Sequence, residues 1–300
     1  MTEEAQVGVQ NEIEIIGAED QQYTVYDLHC HTLFSDGTLS PTDLVIRAKE
    51  KGVHYLALTD HDETSGLDEA QAKADEIKLN LIHGVEVSVS WDNNQTIHIV
   101  GLNIDKENEA LQQGLAEIRQ ERVRRAKKIA SKLEKAGIPN VWRDVVEQNG
   151  FEALTRTHFG RFLLEHNHVK DMKEAFKKWL GRKGRAHVTG HWVPMKDAVE
   201  WITQAGGQAV IAHPVRYGMT NRKLEKLVLD FKDAGGIGLE VIGNRYSSAE
   251  RAAMASLARR FDLLASVGSD FHAPGNPYIE LGRNLGLPEH VKPIWHDWHN

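Results

Sequence analysis

Cysteine is almost missing from this sequence: Cys30 stands alone among 300 residues. A single thiol excludes an intramolecular disulfide framework and agrees with a reducing compartment. No apolar run approaches the ~18 residues that a membrane span needs. The N-terminal stretch has neither a basic start nor an apolar segment of the secretory kind. The expectation is a cytoplasmic protein with no membrane contact and no obligate protein partner. No repeat longer than the strand and helix rhythm is present. Histidine is abundant, at 16 residues, and is the one compositional hint of metal. With 41% hydrophobic and 26% charged residues, the chain suits one large α/β domain, or one domain with an insertion.

Positive charge is absent from residues 1–22, which carry six carboxylates and no Lys or Arg. They read as an acidic mobile tail, with 13–16 able to add a short edge strand. The whole chain has a net charge of −7, which taken alone argues against nucleic acid. That average hides an asymmetry. Residues 105–186 hold 19 Lys+Arg against 12 Asp+Glu, a net +7 set into an acidic body. Strand-like runs vanish in the same segment and helix formers dominate, with helices expected over 110–136, 151–166 and 171–180. We read 105–186 as a basic helical insertion between barrel-forming stretches at 23–104 and 187–300. Its run Arg122, Arg124, Arg125, Lys127, Lys128, Lys132 and Lys135 has two readings. One is the solvated face of a long helix; the other is a cap that meets a polyanionic substrate.

Outside the insertion, short apolar runs alternate with amphipathic ones. Strands are expected over 23–29, 53–58, 79–87, 96–102, 208–213, 238–243 and from 263, each followed by a helix in most cases. Ser40-Pro41-Thr42-Asp43 is a helix start, with Ser40 as cap and Pro41 in the first position. About seven strands separated by helices point to a (β/α) barrel, where functional groups sit at the C-terminal ends of strands.

The candidate site begins at Asp27-Leu28-His29-Cys30-His31. In an extended strand Asp27, His29 and His31 share one face while Leu28 and Cys30 face the core, which leaves Cys30 no role as a nucleophile. Ser35-Asp36-Gly37 reads as a turn that folds Asp36 back toward the imidazoles, with Gly37 supplying the φ the turn requires. His61, Glu86, His98, His213, Asp270 and His272 fall at or near later strand ends, His98 inside an apolar run. Six imidazoles and three carboxylates exceed the needs of one four-coordinate ion, so two or three ions are expected, with Glu86 able to bridge two. Without metal the same groups would repel or stay desolvated. Nitrogen and oxygen ligands without thiolate are compatible with manganese, iron or zinc. Several close divalent ions suit phosphate esters, with a hydroxide held by Glu86, Asp270 and their neighbours as the expected nucleophile. Glu240 ends a strand without a ligand's place and is expected to bond behind the ligands. His187 and His191 come near the mouth with no role assigned.

Taken together, His29-Cys30-His31, Ser35-Asp36-Gly37, Thr59-Asp60-His61, Gly84-Val85-Glu86, His98-Ile99-Val100-Gly101, Ala212-His213-Pro214 and Gly268-Ser269-Asp270-Phe271-His272 resemble the PHP (polymerase and histidinol phosphatase) family of phosphoesterases. The resemblance covers 23–104 and 187–275 and implies a distorted (β/α)7 barrel with a trinuclear centre, with manganese as the favoured metal. By position it implies His29, His31, Glu86 and Asp270 on one ion, Glu86, His98 and His213 on a second, and Asp36, His61 and His272 on a third. The helical insertion is similar to that of the branch holding nucleoside 3′,5′-bisphosphate phosphatases and the bacterial 5′-to-3′ exoribonuclease that trims ribosomal RNA ends. Arg156-Thr157-His158 resembles that branch's Arg-Pro-His, with Thr157 in place of proline, and implies phosphate contacts by Arg156 and His158. RNA 5′ ends or nucleoside bisphosphates are the implied substrates. A small-molecule phosphatase of the histidinol-phosphate type and a non-catalytic docking module are the alternatives.

Overall fold

The computed structural model describes residues 24–150, 153–243 and 245–298. The expected acidic tail over 1–22, the strand start at Tyr23, and the helix start at Phe151 and Glu152 lie outside them. Eight strands are found among the described residues: β1 (Tyr26–Asp27), β2 (Tyr55–Leu58), β3 (Asn80–Trp91), β4 (Gln95–Leu102), β5 (Val193–Pro194), β6 (Gln208–Ile211), β7 (Gly238–Gly243) and β8 (Leu264–Gly268). The chain between them supplies helices α1 (Pro41–Glu50), α2 (Leu67–Ile77), α3 (Glu109–Lys135), α4 (Val141–Asn149), α5 (Arg156–Glu165), α6 (Met172–Ala175), α7 (Met195–Gln204), α8 (Asn221–Asp233) and α9 (Ser248–Arg260). The start of α1 follows its sequence signature: Ser40 Oγ accepts from the Asp43 amide at 3.0 Å, with Pro41 in the first position.

The sheet runs β1-β2-β3-β4-β6-β7-β8, with β5 beside β3. Past β1 and β8 the chain ends meet: Leu28 N donates to Val267 O at 3.1 Å, Asp270 N to His29 O at 2.7 Å, and His31 N to Phe271 O at 2.9 Å. Seven strands thereby curl into a nearly closed barrel, as expected. β7 is buried at all six residues because helices cover the sheet, and Glu240 is its one charged residue.

One strand departs from the βα rhythm. β4 is antiparallel to both neighbours, pairing Ser88 with His98 on one side and Ile99 with Ile211 on the other. The cause lies in the connection. Asp92, Asn93 and Asn94 take left-handed φ values of 35°, 57° and 59°, a tight hairpin far shorter than the dozen or so residues a parallel crossover needs. His98 therefore does not sit at a C-terminal strand end; it reaches the same mouth from the middle of a reversed strand.

Two apolar bodies share α3. Leu111, Leu115 and Ile118 pack into the barrel's core with Ile202 and Val87, while Ile129 and Leu133 join Phe159, Phe162 and Leu180 in a cluster built from residues 126–188. α4 was not expected, because Val141 and Val145 are its only buried residues and Pro139 and Gly150 crowd its ends. The expected helix over 171–180 is α6 followed by one turn of π-helix, Phe176–Leu180. Between the two bodies stands a buried polar anchor. Asp62 accepts from the Ser88 amide and from Arg122 Nε, both at 2.6 Å, and Arg122 also donates to Ser88 Oγ at 2.8 Å.

Removing one partner would strand the other charge in the interior. Asp62→Ala is therefore expected to destabilise the protein by about 3–5 kcal/mol, read as a lower urea midpoint at constant m-value. An unchanged midpoint would mean that this anchor does not hold α3 to the barrel.

Candidate metal centre

His29 and His31 lie on one face of the extended chain after β1, and the Cys30 thiol points behind them, donating to Ala57 O at 3.1 Å. Asp27 does not join them. Its carboxylate accepts the amides of Ser269 at 2.8 Å and Gly282 at 2.9 Å, one layer below the mouth. The loop carrying Asp36 is held by Asp60, which accepts Thr32 N at 2.8 Å and the hydroxyls of Thr32 and Ser35 at 2.5 Å each. Gly37 is required here by close approach and not by φ, since a Cβ on it would lie 2.4 Å from His31 O.

Glu86 is the centre of the arrangement and has no exposed surface. Its Oε1 lies 2.7 Å from His98 Nδ1 and 2.8 Å from His213 Nε2. Its Oε2 lies 3.3 Å from both His29 Nε2 and His31 Nε2, and 2.8 Å from His61 Nδ1. Asp270 Oδ1 stands 3.1 Å from His31 Nε2, and Asp36 Oδ1 stands 3.0 Å from His272 Nε2. Behind the ligand face, Glu240 accepts the His213 amide at 2.6 Å and reaches His29 Nδ1 at 3.3 Å. All nine expected residues converge on one face of the barrel.

Their side-chain atoms form four overlapping groups, each within 4.8 Å: His31, Asp36, His61 and His272; His29, Glu86 and His213; His29, His31 and Asp270; and His61, Glu86 and His98. The chemistry of these atoms fits divalent metal. His29 Nε2, Asp36 Oδ1, His61 Nδ1 and Glu86 Oε2 are buried yet lack hydrogen-bond geometry, although they face one another. Such a knot of unmatched polar atoms is costly unless a cation sits among them.

Above this floor opens a cavity of about 890 Å³, within the range of small-ligand sites. Arg122, Arg125, Arg156 and Arg182 stand on its helical side, and Asn93 and Asn94 of the hairpin on another. The model of the family described as PHP domain matches residues 27–209. The chain belongs to the PHP family. It is 46% identical over 270 residues to a 5′-3′ exoribonuclease of Haemophilus influenzae, covering 90% of this chain and 97% of the relative. It is 44% identical over 272 residues to a 3′,5′-nucleoside bisphosphate phosphatase of Chromobacterium violaceum, covering 90% and 95%. Among solved structures, an amidohydrolase from C. violaceum with bound sulfate and no metal superposes with a TM-score of 0.87 at 44% identity, covering 92% of this chain and 96% of the other.

Arg156 and His158, both expected at the phosphate, separate within this PHP chain. Arg156 lines the cavity, its guanidinium 5.6 Å from the centre of the Phe176 ring. His158 lies beneath the wall, where its Nδ1 accepts the Thr155 amide at 3.0 Å and caps α5. Burial pushes its imidazole down to about 4, so it stays neutral. Arg122 and Arg125 were expected only as members of the basic run of α3, and Arg216 was not expected at all. Arg122 and Arg125 continue the buried stripe Leu111, Leu115, Ile118 on α3 toward Ile129, a helical spacing that was the available signal. Arg216, three residues after His213, pairs with Asp270.

Protonation follows from crowding. Burial alone would raise Glu86, but His61, His98 and His29 hold it well below the usual carboxylate range. Burial would lower His31, but Asp270 and Glu86 raise it to about 10; burial prevails at His61 and takes it to about 4. One carboxylate cannot keep five imidazoles charged, so protons concentrate on some of them. His31, raised, carries a proton at neutral pH that an incoming cation must displace. Metal uptake is thus expected to release protons into weak buffer and to strengthen as pH rises from 6 to 9, where titration calorimetry in buffers of different ionisation enthalpy reads both. Uptake without proton release, or weakening with pH, would contradict this charge distribution.

Proposed function

We propose that this PHP phosphoesterase acts on RNA 5′ ends as a 5′-to-3′ exoribonuclease releasing mononucleotides, and on nucleoside 3′,5′-bisphosphates through the same cavity. The single observation that carries the reading is the cavity's division into a floor of cation-holding side chains and a helical wall of guanidinia. Its floor is the carboxylate and imidazole cluster, and its helical wall holds Arg125 and Arg156, while Arg122 beside them is paired with Asp62. Arg156 makes no ion pair among the described residues. Arg125 forms no ion pair among the described residues; its Nε donates to Val188 O, and burial together with Arg156 and Arg122 lowers its guanidinium to about 9. A desolvated, mutually repelling pair of guanidinia is a receptor for a second phosphate.

Three ions, with manganese favoured by the family resemblance, are the proposed complement: His29, His31, Glu86 and Asp270 would hold one, Glu86, His98 and His213 another, and Asp36, His61 and His272 the third. When bound, such ions lower the pKa of water, neutralise phosphoryl oxygens and stabilise the departing oxygen. The chain's own residues do the placing. Arg125 and Arg156 receive the 5′-phosphate, which sets the ester on the 3′ side over the floor. RNA and free bisphosphate then differ only in what continues beyond that 3′-phosphate, and one geometry serves both names carried by the relatives. The helical segment 105–186 acts on this reading as a cap. A cytoplasmic location goes with it, and no helix among the described residues is long and apolar enough to cross a membrane.

A phosphatase of the histidinol-phosphate type needs the same floor but no second phosphate. Comparing a nucleoside 3′,5′-bisphosphate with the 3′-monophosphate separates the two. Wild-type protein is expected to favour the bisphosphate, and Arg156→Ala to lower kcat/KM on it by about 10–100-fold while leaving the monophosphate nearly unchanged. Equal turnover of both substrates by the wild type would reject the two-phosphate reading.

A further inference from the structure

We propose that Arg216 is a positioning residue of the metal centre: its guanidinium pins one oxygen of Asp270 and leaves the other as the ligand shared with His29 and His31. The inference rests on the metal-centre reading above and adds a residue that reading does not use.

The two oxygens of Asp270 have divided tasks. Oδ1 faces His31 Nε2 at 3.1 Å and His29 Nε2 at 3.6 Å, whereas Oδ2 takes the Nη1 donor of Arg216. A free carboxylate beside a divalent ion can swing to offer both oxygens, filling a position that substrate or water would use. With Oδ2 taken, Asp270 has one to offer. The backbone shows that this pairing is built in. Arg216 sits on the 3-10 turn Pro214–Tyr217, directly after His213, whose φ of 30° is left-handed, and Asp270 itself has φ of 49°. Non-glycine residues held in that region mark local strain that the surroundings must enforce. Tyr217 does part of the enforcing, since its hydroxyl accepts the His98 amide at 2.9 Å and donates to Ala212 O at 2.8 Å. One short turn therefore fixes the His213 ligand, the strand of the His98 ligand and the clamp on the Asp270 ligand. Arg216 also brings fixed positive charge to a cavity lined by Asp270 and Glu86. A guanidinium with a side chain 41% exposed has water available to it, yet it lies against a carboxylate that is 6% exposed.

The test compares Arg216→Met and Arg216→Lys with wild type, reading manganese affinity and stoichiometry by calorimetry, the electron paramagnetic resonance of the bound manganese, and kcat and KM on a nucleoside 3′,5′-bisphosphate. Arg216→Met, which has no donor, frees Oδ2 and removes a repelling cation, so manganese is expected to bind at least as tightly, with an altered resonance spectrum, while kcat falls by about 10²-fold and KM changes little. Arg216→Lys, which keeps a donor and a charge, is expected to recover much of kcat and the wild-type spectrum. Loss of manganese binding in Arg216→Met would assign Arg216 a merely structural role and overturn the proposal. Unchanged kcat and spectrum would overturn it too. If the wild type binds manganese but turns over no phosphate ester, the proposed substrate fails, and the binding and spectral comparison still decides the role of Arg216.

Discussion

A carboxylate sealed from water and faced by five imidazoles is the constraint on which the rest of this molecule depends. Isolated in the interior, Glu86 would neutralise itself or cost several kcal/mol. Surrounded by His29, His31, His61, His98 and His213 it stays ionised, at the expense of crowding rings that cannot all carry protons. Local backbone is bent to achieve this convergence. β4 runs against its neighbours, His213 and Asp270 take left-handed conformations, and Gly268 lets β8 pass so close that a Cβ there would lie 2.3 Å from His29 Cβ. Each departure from regular barrel geometry sits beside a candidate ligand. Divalent ions would relieve the crowding by replacing shared protons with fixed positive charge, and the same ions would attract a phosphate ester.

The helical body is registered to this floor at two separate places. On one side Arg122 of α3 reaches Asp62 and Ser88, two residues beyond Glu86 on β3. On the other, Thr155 donates to Asp36 Oδ2 at 2.8 Å and Arg161 to Asp36 O at 2.6 Å, so the start of α5 clasps the loop that presents Asp36. The two helices that carry Arg125 and Arg156 are thereby tied to the floor. On the proposed two-phosphate reading the distance from these helices to the floor has to be fixed, and attachment at one hinge would not supply it.

Much of this was legible in the sequence. Alternation placed His29 and His31 together with Cys30 behind them, and the run of polar residues at the ends of apolar stretches gave the barrel and its mouth. What escaped has physical reasons. The reversal of β4 depended on three consecutive left-handed residues, Asp92 to Asn94, whose turn chemistry was visible but was subordinated to the βα rhythm. Arg122 and Arg125 were absorbed into a basic run, although they alone within it fall on the stripe that α3 buries. Asp27 obeyed the alternation but not the layer, because two backbone amides below the mouth outbid the ligands above. His158 shares a motif with Arg156 yet serves the helix cap, a division that depends on where α5 begins.

The central claim is that the Glu86 cluster exists to hold divalent cations. Anomalous diffraction at the manganese absorption edge, from crystals grown with manganese and without chelator, tests it most directly. The account predicts separate strong peaks at coordination distance from Glu86, Asp270 and Asp36 and from the imidazoles grouped with them. A well-ordered structure with Glu86 in place and no anomalous density among those side chains would contradict it.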